Sequence, residues 1–599
     1  MRIVVPNMET SKPEPNLLSQ LWGVITPRRR KQLLVLLAFS LITAVAEVLS
    51  LSTVVPFFGV LTAPEKLFSH VAVRPLIALL HLAEPGDLLG PITALFCGAT
   101  LLAAFVRMVN IWLRTRLTFA VGADLSNEIY RRTLYQPYPV HLSRNSSEVI
   151  DGIVNKVGAV IFGVLTPLLV ILTNSLILIA ILLTILVYQP VLALTSFVGF
   201  GVIYAAIFRF TRSRLRSNSL QIAASSTGLI KIVQEGLGGI RDVLLDRAQE
   251  VYCAEYSRAD SKLRLGQANN SITGEIPRFA VEALGICLIA VLALNLARGD
   301  EGSSTTLPLL GMLAVVAQRL LPMFQQIYYS VTNLGGNEQS LRDALALLGQ
   351  PLPPASQRQE IESISLREAI VLTEIGFRYN DQAPWVIRNL NLRIAKGSRV
   401  GFVGTTGSGK STLLDIVMGL LPPTEGQVLV DGEIITLTNK QYWQQRIAHV
   451  PQAIYLSDAS VAENIAFGVP VKYIDMERVR HAAEKAQIAE TISCWKLGYS
   501  TLVGERGVRL SGGQRQRIGI ARALYKGADV LVFDEATSAL DNFTEQAVMG
   551  AIESLGRDLT ILIVAHRVAT LRDCDVIVEL EQGRVNRKGA FDATFGGLS

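Results

Sequence analysis

The sequence predicts a multi-domain membrane protein in which an all-α six-span transmembrane domain precedes an α/β P-loop domain. Three observations carry that expectation. Residues 157–208 contain no charged side chain, Gly404-Thr405-Thr406-Gly407-Ser408-Gly409-Lys410-Ser411 fits the pattern G-x-x-x-x-G-K-[ST], and long apolar runs stop near residue 335. Half of the 599 residues are hydrophobic and mean hydropathy is +0.37, too apolar for a soluble chain of this size. The net charge of +6 suits Lys and Arg collected at cytoplasmic membrane faces better than a nucleic-acid partner. Cys97, Cys253, Cys287, Cys494 and Cys574 are scattered without paired spacing, so neither a disulfide framework nor a metal site is expected from them.

The charge-free run is more than twice the ~20 residues that cross a bilayer. Tyr188-Gln189-Pro190 interrupts it, giving two spans joined by a very short turn. Apolar runs at 33–61, 88–113, 276–297 and 307–329 bring the expected spans to six. Lys and Arg crowd into Arg28-Arg29-Arg30-Lys31 and into the segments 114–156 and 209–278, whereas the loops with Glu65 to Asp87 and with Arg298 to Glu301 lack such an excess. Positively charged loops stay in the cytoplasm, which puts the N-terminus and the later domain there, on a cytoplasmic (inner) membrane. The two basic segments are too long for simple connections and keep a helical apolar spacing, as in Ile230, Val233, Leu237 and Ile240, so helices should extend beyond the bilayer.

Charges within spans cost about 2.5–3.5 kcal/mol on insertion scales, so Glu47, Arg107, Glu282 and Arg319 stand out, with Arg278 at a span entrance. Two readings remain open: a polar substrate path through Glu47, Arg278, Glu282 and Arg319, or internal Glu–Arg pairing and snorkelling. For Arg107 the pairing or snorkelling reading is favoured.

Gln350-Pro-Leu-Pro-Pro-Ala-Ser-Gln357 cannot continue a helix and marks a linker. The expected organisation is a cytoplasmic N-terminal segment (1–31), a transmembrane domain (32–345), a linker (346–365) and an α/β P-loop nucleotide-binding domain (366–599). Residues 370–375, 399–403 and 530–533 read as strands, and 410–421 and 513–524 as helices.

The P-loop is followed by Leu510-Ser511-Gly512-Gly513-Gln514 and by Val530-Leu-Val-Phe-Asp534-Glu535. Together these motifs resemble the ATP-binding cassette family, and the whole chain resembles its exporters. The fit to that pattern implies ATP and Mg²⁺ at residues 404–412. Lys410 offers a point charge to the β- and γ-phosphates, Ser411 a hydroxyl to Mg²⁺, Asp534 a carboxylate to the metal shell, and Glu535 a general base for water. The resemblance further implies that His566 touches the γ-phosphate, Gln452 binds Mg²⁺ and reports nucleotide state, and Tyr379 stacks on adenine. Thr412 and the other P-loop residues hold nucleotide. Ser511, Gly512, Gly513, Gln514 and Asp541 serve an ATP shared with a second cassette. With one cassette per chain, the resemblance implies a homodimer. Residues 137–148 and 225–236 resemble the two coupling helices of such exporters, and Val503-Gly-Glu505-Arg-Gly507 resembles their exporter-specific loop, which implies outward transport.

Three segments, 47–57, 276–285 and 318–322, resemble the bacterial lipid-linked oligosaccharide flippase branch. Arginines facing a cavity suit a pyrophosphate, by charge-assisted and often bidentate bonds. The expectation is ATP-driven export or flipping of a lipid-linked glycan or polysaccharide precursor by alternating access. A multidrug or phospholipid exporter is the alternative, with any amphipathic substrate.

Overall fold

The structure, a computed structural model, describes residues 16–62, 64–69, 73–188, 190–297, 303–352, 364–535, 545–546, 550, 559–565 and 571–591. It divides into two units: Met1–Gln136 with Arg144–Leu352, and Pro137–Ser143 with Pro353–Ser599. The turn 298–301 and the linker after Leu352 lie outside the described residues.

The first unit is helical. A short helix Leu17–Val24 leads into Pro27–Ser52, whose Pro27 sits in the first helical turn, where no N–H is missed. Arg29 Nε donates to Asp124 at 2.8 Å, fastening this entrance to the helix Leu89–Leu134. That hydrogen bond, together with charge attraction, outweighs burial and raises the Arg29 guanidinium's pKa. It likewise holds the Asp124 carboxyl below its usual range. After Thr53 the helix resumes as Val54–Thr62. Pro27–Thr62, Pro85–Leu134 and Ser146–Leu186 are long and apolar enough to cross a membrane among the described residues. The remaining apolar runs lie in the helices Pro190–Gly238, Gln249–Ala297 and Ser303–Gly336.

Leu89–Leu134 has 46 residues and the helices Pro190–Gly238 and Gln249–Ala297 have 49 each. At 1.5 Å per residue they reach about 70 Å, over twice a bilayer's ~30 Å core. The charge-free run breaks between helices ending at Tyr188 and beginning at Pro190, as its Tyr-Gln-Pro implies. Upstream, π-helical turns at Gly152–Lys156 and Ile161–Leu165 interrupt the α-helix. Gly163 there leaves room for Asn337, which a Cβ would meet at 2.3 Å.

The segment expected as the second coupling helix does not form a short helix of its own. Residues 225–236 lie inside the uninterrupted helix Pro190–Gly238, and a short helix, Ile240–Leu245, follows it, entered through Gly238-Gly239. Two consecutive glycines end a helix that the apolar periodicity would otherwise carry on. The first such segment does form a short helix, Tyr138–Ser143.

In the second unit, β1 (Ala369–Phe377), β2 (Ile387–Ala395), β4 (Glu425–Val430) and β5 (Glu433–Ile434) make an antiparallel sheet ordered β2-β1-β4-β5. A six-stranded sheet runs β10-β9-β3-β8-β7-β6, from β3 (Arg399–Val403), β6 (Ile447–Val450), β7 (Val530–Asp534), β8 (Thr560–Val564), β9 (Val576–Glu581) and β10 (Arg584–Gly589). All its pairings are parallel except β9 with β10. Parallel strands collect ligand sites at their carboxyl ends, where the loops after β3, β6 and β7 converge. The helix after β3 is Lys410–Val417, stopping short of the expected residue 421 because Gly419 turns to φ 65°. Trp443, fully buried, donates its indole N–H to the Val417 carbonyl at 2.8 Å and fixes that end.

Candidate functional site: a P-loop and a guanidinium-lined cavity

The P-loop bends through left-handed backbone at Gly404 (φ 148°), Gly407 (φ 82°) and Gly409 (φ 100°). A Cβ on Gly404 would lie 2.2 Å from the Leu580 carbonyl oxygen, so no side chain fits there. The helix Lys410–Val417 begins without a side-chain cap, leaving its first-turn amides for an anion. Lys410, nine-tenths buried, donates to the Gly404 and Thr405 carbonyls at 2.8 and 3.0 Å, arching its ammonium over the loop. The buried Ser408 hydroxyl has no hydrogen-bond partner among the described residues.

Around that loop the structure gathers the acidic and amide groups expected from sequence. Ser411 Oγ donates to Asp534 Oδ1 at 3.4 Å, a long bond, and Gln452 Nε2 donates to Glu535 Oε2 at 2.7 Å. Glu535 sits at φ 52°, a left-handed position uncommon for a residue with a Cβ, directly after β7. The Tyr379 hydroxyl is 3.3 Å from Thr412 Oγ1, and its half-exposed ring meets Phe377 edge-on. Ser511 and Gln514 close a capping box at the helix Gly512–Lys526: the Gln514 N–H donates to Ser511 Oγ and the Ser511 N–H to Gln514 Oε1. Glycines 512 and 513 open that helix. His566 and Asp541 lie outside the described residues.

Three residues at this site escape the motif reading. Burial, then the nearby Asp534, pushes the Asp415 carboxyl up to about 6. Asp415 is four residues past Ser411, hence on the same helix face, a spacing that could have flagged it. Burial raises Asp534 above its usual range against the pull of Ser411 and His449. It also lowers His449, whose Nε2 has no hydrogen-bond partner among the described residues. Tyr138 joins this unit; burial, then Asp415 and Tyr379, raises its phenol. The oxygens of Ser411, Asp534 and the Gln452 amide form an all-oxygen donor set of the kind Mg²⁺ prefers. No cluster of three His, Cys, Asp or Glu that could hold a metal by itself exists among the described residues.

The first unit contains a cavity of about 700 Å³. Its wall carries Arg107, Asn110 and Arg114, one face of the helix Leu89–Leu134, together with Glu275 and Arg278. Arg114 donates to Thr173 Oγ1 at 3.3 Å and Asn174 to Gln326 at 2.8 Å, both along the same wall. The sequence-proposed path residues separate. Arg278 lines the cavity; Glu47 is buried and pairs with Arg319 and Arg107; Glu282 is exposed and is not part of the wall. Arg107 and Arg114 enter the site in place of Arg319. Their spacing of seven, with Asn110 between, is a polar stripe visible in an apolar helix.

Two family models match: the ABC transporter transmembrane region over residues 33–294 and the ABC transporter over 387–538. The chain is an ATP-binding cassette exporter of the half-transporter kind. It is 28% identical over 604 residues to an ATP-dependent lipid A-core flippase of Cupriavidus metallidurans, covering 99% of this chain and 96% of that one. A leukotoxin translocation ATP-binding protein of Mannheimia glucosida is 39% identical over 266 residues, 44% of this chain and 36% of the relative. The structure of a bacterial Atm1-family ABC exporter with ATP bound superposes with a TM-score of 0.78 at 22% identity, over 95% of this chain and 96% of that one. This exporter is thus an ATP-hydrolysing, multi-pass membrane transporter, a helical region followed by an α/β nucleotide-binding domain.

Proposed function

We propose that this exporter flips or exports a lipid-linked glycan or polysaccharide precursor across the cytoplasmic membrane, working as a homodimer with its ATPase domains in the cytoplasm. The observation that carries the reading is the cavity wall, where, among the described residues, three guanidinium groups stand against the single carboxylate of Glu275. A site at the cytoplasmic end of the spans with such an excess suits an anionic headgroup, and guanidinium forks match phosphate oxygens. The amide side chains of Asn110, Asn174 and Gln326 suit sugar hydroxyls. The near-full-length relatives named as lipid A-core flippases support a glycolipid substrate.

At the nucleotide, the first-turn amides after Gly409 and the Lys410 ammonium hold phosphate oxygens. Lys410 exchanges its loop carbonyls for them. Tyr379, set against Thr412, offers its ring to adenine. Ser411, Asp534 and Gln452 would hold Mg²⁺, which neutralises phosphate charge. Glu535, aligned by Gln452, takes the proton of the attacking water; His566 contacts the γ-phosphate. Ser511, Gly512, Gly513 and Gln514 at a helix start, with Asp541, face the ATP of the second copy. The short helix Ile240–Leu245 leaves Leu244 and Leu245 exposed in the single chain, apolar surface that a second copy would cover.

The test is ATPase activity in lipid nanodiscs, titrated with polyprenyl-pyrophosphate glycans and in parallel with hydrophobic drugs. Stimulation by the glycolipid that is lost in Arg278→Ala and Arg114→Ala is expected. Stimulation by drugs alone would overturn the reading in favour of a multidrug exporter.

A further inference from the structure

Glu47 is 1% exposed in the helix Pro27–Ser52, yet two cations from other helices reach it. Arg319, from Ser303–Gly336, hydrogen-bonds one carboxylate oxygen through Nη1 and reaches Ser50 Oγ at 3.3 Å through Nη2. Arg107, from Leu89–Leu134, stands 3.6 Å from the other oxygen, beyond hydrogen-bond range. The two arginines therefore differ. Arg319 is committed to the pair, whereas Arg107, among the described residues, is held by attraction alone, remains about a third exposed and forms part of the cavity wall.

We infer that Glu47 is an internal counterion for Arg107, displaced by the anionic group of the substrate. The inference rests on the cavity taking an anionic ligand. With the cavity empty, Glu47 and Arg319 neutralise each other, and the remaining attraction of Glu47 keeps Arg107 from being an uncompensated charge in the membrane. An anionic headgroup entering beside Arg114 and Arg278 takes Arg107 in exchange, so one ion pair replaces another. Two consequences follow. Affinity stays below what three free guanidiniums would give, so the substrate can leave. A neutral amphiphile cannot make the exchange and gains nothing from Arg107, which makes Glu47 a specificity-determining residue through its hold on Arg107.

The test is binding to the full chain in zwitterionic nanodiscs with the P-loop saturated by ADP, using farnesyl pyrophosphate, farnesol and inorganic pyrophosphate as probes. Glu47→Gln should tighten farnesyl pyrophosphate binding roughly tenfold, a moderate coupling for groups in contact. Farnesol binding should not change. In an Arg107→Ala background the gain should disappear. The pair Glu47→Gln with Arg319→Gln removes the carboxylate without altering net charge. It spares a lone buried cation should the single variant not fold, and it should also tighten binding. A merely structural Glu47 predicts lower melting temperature with unchanged or weaker binding. That result, or a gain that persists without Arg107, overturns the inference. If Arg107→Ala and Arg278→Ala weaken binding while both Glu47 variants leave it unchanged, the cavity reading stands and the counterion alone falls. If inorganic pyrophosphate shows the same shifts as the farnesyl ester, the counterion stands and the lipid substrate falls. Absence of any anion binding, in wild type and Glu47→Gln alike, removes both.

Discussion

Replacing Glu535 by Gln should separate nucleotide binding from hydrolysis. The substitution keeps side-chain length and an oxygen that still accepts from Gln452 Nε2, now 2.7 Å away. Both residues carry the same backbone penalty at φ 52°, so that term cancels. What changes is a charge-assisted bond becoming a neutral one, worth about 0.5–1.5 kcal/mol at most for a partly exposed pair. ATP affinity should stay close to wild type, since Gly404 to Thr412 and Tyr379 are untouched. Loss of a positioned base costs about 10²–10⁴ in rate, or roughly 3–5 kcal/mol of barrier. Phosphate release, followed in single and multiple turnovers beside binding of a fluorescent ATP analogue, measures both quantities. Turnover within about tenfold of wild type would refute Glu535 as the base. A fall in affinity as large as the fall in rate would refute the separation.

Gly404→Ala places a methyl 2.2 Å from the Leu580 carbonyl, and nucleotide binding should be lost, as read by the same analogue. Trp443→Phe strands the Val417 carbonyl in the core, and chemical denaturation followed by a probe in the ATPase unit should show about 1–3 kcal/mol of destabilisation. Asp415 has a folded-state pKa raised to about 6 from 3.8, so the stability it contributes is complete below about pH 4 and lost as pH rises through 6. Asp415→Asn should therefore resemble wild type near pH 4 and be more stable at pH 7.5. The gain, two units discounted for partial exposure, is about 1–2 kcal/mol, measured by nucleotide-free melts at both pH values. An equal offset at both pH values would show that the carboxyl titrates normally.

Legibility in the sequence followed the range of the interaction. The P-loop and the end of β7 were readable because each motif is contiguous and its backbone does the work: three glycines in left-handed turns, a helix start, a strand terminus. Gln452 and Glu535 lie 83 residues apart, and they meet only because β6 pairs in parallel with β7, Val450 beside Phe533. Motif resemblance supplied that meeting; periodicity alone does not. Apolar runs announced long helices, three of them apolar enough to cross a membrane among the described residues, because insertion depends on composition within one helix, but residues 225–236 continue the same helical spacing, and only the Gly238-Gly239 pair shows where the chain turns. Intramembrane charge was the hardest case. Glu47 and Arg319 are 272 residues apart, and a substrate ligand or a paired charge looks the same in one dimension. Helix packing gives Arg319 a carboxylate partner and leaves Arg107 between that carboxylate and the cavity. A charged residue in a span is thus informative about function only once its partner is known, because the charge left over after pairing is what a ligand meets.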